Sequence, residues 1–149
     1  MKKDIICVVA QFFLFALYFI DWELFSYPLP FWISYLSVFF VVIGLLIIVF
    51  GILSLNVNFS PFPSPRSNSS LISHGIYKYV RHPVYSGIIV ALFAYALFSF
   101  SAFRLFITAS LIILFYFKTN LEEKLLKERF TDYEDYMKRT GRFFPKRNL

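Results

Sequence analysis

Apolar residues run along this 149-residue chain in four long blocks, parted by short polar stretches whose composition differs from one to the next. The first block, Ile5 to Ile20, is interrupted only by Gln11. As a helix it reaches roughly 24 Å at ~1.5 Å per residue, a little short of a ~30 Å hydrocarbon core. Tyr18 and Trp22 are placed to extend it through the interface. A polar turn with Asp21, Glu23, Pro28 and Pro30 follows, then a second block from Phe31 to Leu55 that is long enough to cross a membrane. The pattern predicts a helical hairpin over 1–55.

Residues 56–70, NVNFSPFPSPRSNSS, have no helical period and read as a loop outside the hydrocarbon. Two further blocks, Val84 to Phe98 and Leu105 to Phe117, are separated by SFSAFR around Ser99 to Arg104 and predict a second hairpin. The tail LEEKLLKERFTDYEDYMK carries Leu121, Leu125, Phe130, Tyr133 and Met137 at spacings of three to five, one face of an amphipathic helix over 121–138 ended by Gly141. Phe143, Phe144 and Pro145 then suggest an interfacial anchor. The expected fold is an all-α, multi-pass membrane bundle of about four spans in two hairpins, with a C-terminal amphipathic cytoplasmic helix. As one membrane domain it divides into 1–55, a cytoplasmic loop with its motif at 56–83, a second hairpin at 84–118 and a cytoplasmic segment at 119–149.

Composition agrees with lipid surroundings: hydrophobic residues make up 58% of the chain and charged ones 16%, against roughly 25% charged in soluble domains. The net charge of +6 is carried by Lys and Arg that flank apolar blocks. That placement suits anionic membrane lipids rather than a nucleic-acid groove. If four spans alternate, Lys2, Lys3, Arg66, Lys78, Arg81, Lys118, Lys124, Lys127 and Arg129 fall on one side, and Asp21, Glu23 and Arg104 on the other. Both termini and the motif are then expected in the cytoplasm, with the plasma membrane as the site in a bacterium. Cys7 is the single cysteine, which excludes an intramolecular disulfide and a thiolate zinc cluster.

Candidate chemistry concentrates in HGIYKYVRHPVYSG, residues 74–87. Pro83 suits the first turn of a helix, so the third span begins at Arg81-His82-Pro83, with its dipole and first N–H groups near two basic side chains. Gly75 allows a positive φ or close approach of backbone to a ligand, and Gly87 leaves room for something flat to pack. Two readings compete: interfacial anchoring through Tyr77, Tyr79, Tyr85, Lys78 and Arg81, or a ligand site. A second polar cluster, Lys118, Asn120, Glu122 and Glu123, lies at the same end of the fourth span. Glu122 facing Arg81 and His82 would suit a zwitterion such as an amino-acid head group.

GIYKYVRHPVYSG, followed at a distance by NLEEKLLKERFTDYEDYMKRTGRFFP, resembles the isoprenylcysteine carboxyl methyltransferases and the related phospholipid N-methyltransferases, over roughly residues 53–147. The resemblance implies S-adenosyl-L-methionine as methyl donor. The implied cofactor contacts are Ser69, Ser70, Leu71, Ile72, Tyr77, His82, Pro83, Val84, Tyr85 and Glu122, with Gly75 beside them. Arg81, Lys118 and Glu123 are the candidate catalytic residues. Lys118 stands where the isoprenylcysteine enzymes place an arginine, which keeps the charge and loses the bidentate fork. The implied partner is a lipophilic or prenylated acceptor.

Because a sulfonium methyl is already electrophilic, such an enzyme works mainly by alignment and exclusion of water. A carboxylate or thiolate acceptor needs no base; an amine must be neutral, and His82 or Glu123 could take its proton. Membrane sterol reductases carry a similar Arg-His-Pro block and use NADPH, but there it runs on to Asn-Tyr and Gly-Glu, unlike Val84-Tyr85-Ser86-Gly87. A non-catalytic lipid-binding protein is the third alternative.

Overall fold

The computed structural model describes residues 2–20, 30–55, 60, 62 and 70–146. The Asp21/Glu23 turn, most of the 56–70 loop and Ser69 lie outside the described residues. Among the described residues five α-helices are formed: α1 (Lys2–Tyr18), α2 (Phe31–Leu55), α3 (Pro83–Phe98), α4 (Ala102–Arg129) and α5 (Tyr133–Arg139), with a 3₁₀ turn at Gly75–Lys78 before α3. Among the described residues no strand forms, and a single parallel bridge joins Val80 to Gly141. Among the described residues two helices, α2 and α4, are long and apolar enough to cross a membrane, and α1 and α3 are shorter apolar helices.

Packing partners do not follow chain order. α2 lies along α3 and α1 along α4, so each of the first two helices finds its main partner in the second half of the chain. Contact with α3 is made backbone to backbone. A Cβ on Gly87 would stand 2.6 Å from the Gly44 carbonyl oxygen and 2.9 Å from the Ile48 nitrogen. Gly87, expected to leave space for a flat ligand, instead admits α2, because only a missing side chain lets two helices approach this closely. Away from that seam α2 presents Leu36, Phe39, Val42, Leu46 and Leu53 outward, as a lipid-facing helix does.

The core lies between α1, α3 and α4, around Tyr18, Ile107, Leu111 and Phe115. On α4 the buried positions are Arg104, Ile107, Thr108, Leu111, Phe115, Lys118, Thr119 and Glu123. Their spacing of one, three or four marks one helical stripe, apolar in the middle and charged at both ends. At one end Ser101 caps α4 by accepting from the Arg104 amide at 3.3 Å, and Arg104 Nε reaches the Tyr18 carbonyl at 3.4 Å. At the other, Lys118 Nζ donates to Gln11 Oε1 at 2.7 Å. These two polar pins seat α1.

The expected helix over 121–138 is divided. Nothing between Phe117 and Arg129 breaks a helix, so α4 carries on past the apolar block as one rod to Arg129. Thr131 and Asp132, poor helix formers, then make a turn, and α5 buries Tyr133 and Tyr136 on its inner side. Phe143 is another correction: it packs against the core cluster, while Phe144 remains 72% exposed.

Candidate active site

Beyond α5 the chain turns back to the motif. A Cβ on Gly141 would fall 1.6 Å from the Phe144 carbonyl oxygen, so only glycine permits the tight turn at 141–144. Backbone bonds fasten that turn to the residues before α3. Gly141 N–H donates to the Tyr79 carbonyl at 3.2 Å, Arg81 N–H to the Gly141 carbonyl at 2.9 Å, and His82 N–H to the Arg142 carbonyl at 3.1 Å. The Ser86 hydroxyl lies 2.7 Å from the Phe143 carbonyl. This clasp orders Arg81 and His82 just ahead of Pro83, which opens α3 at its first position.

Inside the clasp the charges converge on two adjacent carboxylates of α4. Glu123 Oε1 receives Arg81 Nε at 2.9 Å and faces His82 Nε2 at 3.1 Å, and Glu123 Oε2 receives Arg142 Nη2 at 2.6 Å. Glu122 Oε1 accepts from the Tyr85 hydroxyl at 2.5 Å, and its Oε2 stands 3.4 Å from His82 Nδ1. Arg81 also donates through Nη1 to the Met137 carbonyl at 3.2 Å and to the Thr140 carbonyl. The cluster is thus buried yet paired, as ionic groups out of water must be.

Protonation follows from the partners. Burial alone would raise Glu123, but hydrogen bonds from His82, Arg142 and Arg81 outweigh it and hold the carboxyl at about 2. Burial alone would lower His82, but the two carboxylates raise it above its ordinary value. An imidazole with a carboxylate oxygen at each nitrogen has a donor's role at both, which is the imidazolium form. Burial pushes the Tyr136 phenol up to about 12, so it stays a donor, to the Tyr77 carbonyl at 2.7 Å.

Of the residues singled out from sequence, Arg81, His82, Tyr85, Glu122 and Glu123 are brought together. The His82 and Tyr85 rings stack at 5.8 Å, and Tyr85 stacks on Phe115 at 4.6 Å. Lys118, fully buried, sits 5.2 Å from the Tyr85 ring centroid and belongs to the α1 contact with Gln11. Pro83 and Val84 lie against Gly51 of α2. Gly75 takes φ +59°, within 3.0 Å of Ser54 Oγ measured from where a Cβ would be, and Tyr77 is buried below it. Leu71 and Ile72 are half-buried and Ser70 is exposed on the approach to that turn.

Arg142 is the participant that sequence reasoning passed over. It bridges Glu123 to Asn120, whose Oδ1 accepts Arg142 Nη1 at 2.7 Å. A local signal existed for Glu123: it continues the buried α4 stripe one turn beyond Thr119. No comparable signal marks Arg142, whose position depends on the turn at Gly141.

Among the described residues, two potential membrane helices and a buried charge cluster at one end of α3, just past the apolar part of α4, make an arrangement suited to chemistry at a membrane surface. A family model described as phospholipid methyltransferase matches residues 32–133, about two-thirds of the chain. The chain belongs to that family, and membership supports a membrane methyltransferase. The match holds α2 to α4 with the whole Arg81 to Glu123 pairing, and ends before the clasp at 141–144. No curated protein matches the chain significantly. Methyltransferases of this family generally use S-adenosylmethionine.

Proposed function

We propose that the chain transfers a methyl group from S-adenosylmethionine to a lipophilic acceptor bearing a carboxylate, at the cytoplasmic face of a membrane crossed by α1 to α4. What supports this above all is the pairing of His82 with Glu122 across α3 and α4 in a chain of this family.

The two carboxylates differ in what they have left to offer. Glu123 is already met by three cations, whereas Glu122 holds one tyrosine hydroxyl and a longer His82 contact. A carboxylate accepts about four hydrogen bonds. Glu122 is therefore the group to take the donor's ammonium, and the His82 imidazolium would face its carboxylate through Nδ1 by giving up the longer 3.4 Å contact with Glu122. Ser69 to Ile72, Gly75, Tyr77 and Pro83 to Tyr85 would complete the donor site. Bound there, S-adenosylmethionine supplies an electrophilic methyl on sulfonium.

The remaining work belongs to the protein: orienting the acceptor in line and keeping water out. Arg81, His82 and Arg142 meet the two carboxylates Glu122 and Glu123, an excess of positive charge that suits a carboxylate acceptor. Such an acceptor needs no general base. Arg81 and Lys118 act as positioning residues, the first through Glu123 and the second through Tyr85 and Gln11.

Calorimetry with detergent-purified protein tests this. S-adenosylmethionine should bind the wild type, fail to bind His82→Ala and Glu122→Gln, and bind Glu134→Gln, altered at an exposed carboxylate, normally. Absence of binding by folded wild-type protein would overturn the proposal.

A further inference from the structure

On the far side of the clasp, between the 3₁₀ turn and α5, lies a cleft of about 330 Å³. Ser73, Lys78, Tyr79, Tyr136, Arg139 and Lys146 line it, three cations among them and no carboxylate. Lys146 Nζ donates to the Lys138 carbonyl at 2.7 Å and Arg139 Nε to the Asp135 carbonyl at 3.3 Å. Each contact uses one N–H of a group that has three or five, and fixes the cation at the rim while leaving it donors to give. Asp135 of α5 is occupied by Lys138 at 2.7 Å.

Among the lining residues Tyr79 is 58% exposed, and Phe144, 72% exposed, directly precedes the lining residues Pro145 and Lys146 in the chain. Exposed rings next to a basic cleft match the layering of a membrane interface, where aromatic side chains sit at head-group level and cations meet phosphate. The backbone bonds of the clasp hold Tyr79 in register with Gly141, so both walls of the cleft are fixed before any ligand arrives. A phosphodiester offers the oxygens that Lys78, Arg139 and Lys146 require, and its acyl chains would leave past Phe144.

We propose that this cleft is a binding site for the head group of an anionic phospholipid, separate from the donor site. It goes beyond the methyl-transfer proposal, since none of its three cations belongs to that site. Occupied, it would press the 140–146 turn toward the bilayer and steady the clasp from outside.

The test is binding of short-chain phosphatidylglycerol to the detergent-solubilised chain, followed by phosphorus NMR, with phosphatidylcholine and inorganic phosphate in parallel. Phosphatidylglycerol should bind in a salt-sensitive manner, and phosphatidylcholine and inorganic phosphate at least tenfold more weakly. The triple variant Lys78→Gln, Arg139→Gln, Lys146→Gln should lose phosphatidylglycerol at least tenfold, and Lys124→Gln with Lys127→Gln should not. All three cations are exposed, so an unchanged melting profile is expected for the triple variant. The proposal fails if that variant binds like wild type, if phosphatidylcholine binds equally, or if inorganic phosphate binds as well as the lipid. Salt-insensitive wild-type binding would overturn it without any variant.

Discussion

Helix α3 meets its neighbours in two opposite ways. Along its length it touches α2 through Gly87 and Gly44, with backbone against backbone and nothing charged. At its first turn it is held by Arg81 and His82 on Glu123 and Glu122, and by the clasp to residues 141–143. The first contact depends on volume, the second on charge. A steric seam tolerates changes of pH and salt but not an added methyl, whereas a buried ionic cluster responds to pH and does not tolerate the loss of one partner. The two can therefore be broken separately.

The largest effect belongs to Glu123. Glu123→Ala leaves Arg81, His82 and Arg142 without the carboxylate that neutralises them, and breaking a buried pair from one side costs about 3–5 kcal/mol. Equilibrium unfolding in mixed micelles should show that loss, and hydrogen exchange should show the 140–146 turn released while α2 and α3 keep their protection. Simultaneous loss of protection at Gly44 and Gly87 would mean that seam and cluster are one cooperative unit.

Gly87→Val is the converse. Its side chain would enter the Gly44 carbonyl and the Ile48 backbone, an overpacking worth about 1–3 kcal/mol. The expected result is a lower melting temperature with α2 loosened, while Arg81 and Glu123 stay paired, read as unchanged exchange at Gly141. Valine tolerated without loss would show that the helices can separate there cheaply.

How much of this was legible in the sequence follows the same division. The second apolar block, Phe31 to Leu55, coincides with α2, and the third is α3 with Pro83 added at its start. The local signals there, length and a proline at the first turn, belong to the helices themselves. Facing of Glu122 toward His82 was also legible, because the two polar clusters fall at the same end of neighbouring spans, whereas Arg81, expected on Glu122 as well, pairs with Glu123. Gly87 was visible as a glycine, but not its partner Gly44, 43 residues away, since contact between helix backbones leaves no trace in either local pattern. Lys118 was legible as a charge and not as the partner of Gln11, which looked like a stray polar residue in an apolar block. The end of α4 escaped because a change from apolar to charged residues alters surroundings, not helix propensity.

Gln11→Leu examines a third contact, between α1 and α4, that mixes both kinds. Lys118 would lose a 2.7 Å acceptor but keep the Tyr85 ring, so a cost of about 1.5 kcal/mol is expected. Faster proteolysis within α1, with the clasp unchanged, is the corresponding readout. A loss as large as that of Glu123→Ala would place Lys118 within the cluster energetically.

The smallest effect should be the most selective, because it distinguishes charge from volume without a mutation. Glu123 is lowered from 4.5 to about 2, so what it contributes is complete above about 4.5 and is lost as pH falls through 2. His82 is raised above 6.5, so its contribution is complete below 6.5 and is lost as pH rises through the raised value. The clasp should be tightest between about 4.5 and 6.5 and loosen on the alkaline side, as the imidazolium gives up the proton that one of its two carboxylate contacts needs. Protection factors at Gly141 and His82, corrected for the pH dependence of intrinsic exchange, should fall above that window. Those at Gly44 and Gly87 should stay level, since no titrating group is part of that seam. His82→Gln should abolish the alkaline fall at Gly141. A level wild-type profile at Gly141 would remove His82 from the forces that hold the clasp, leaving Arg81 and Arg142 to hold it on Glu123 alone.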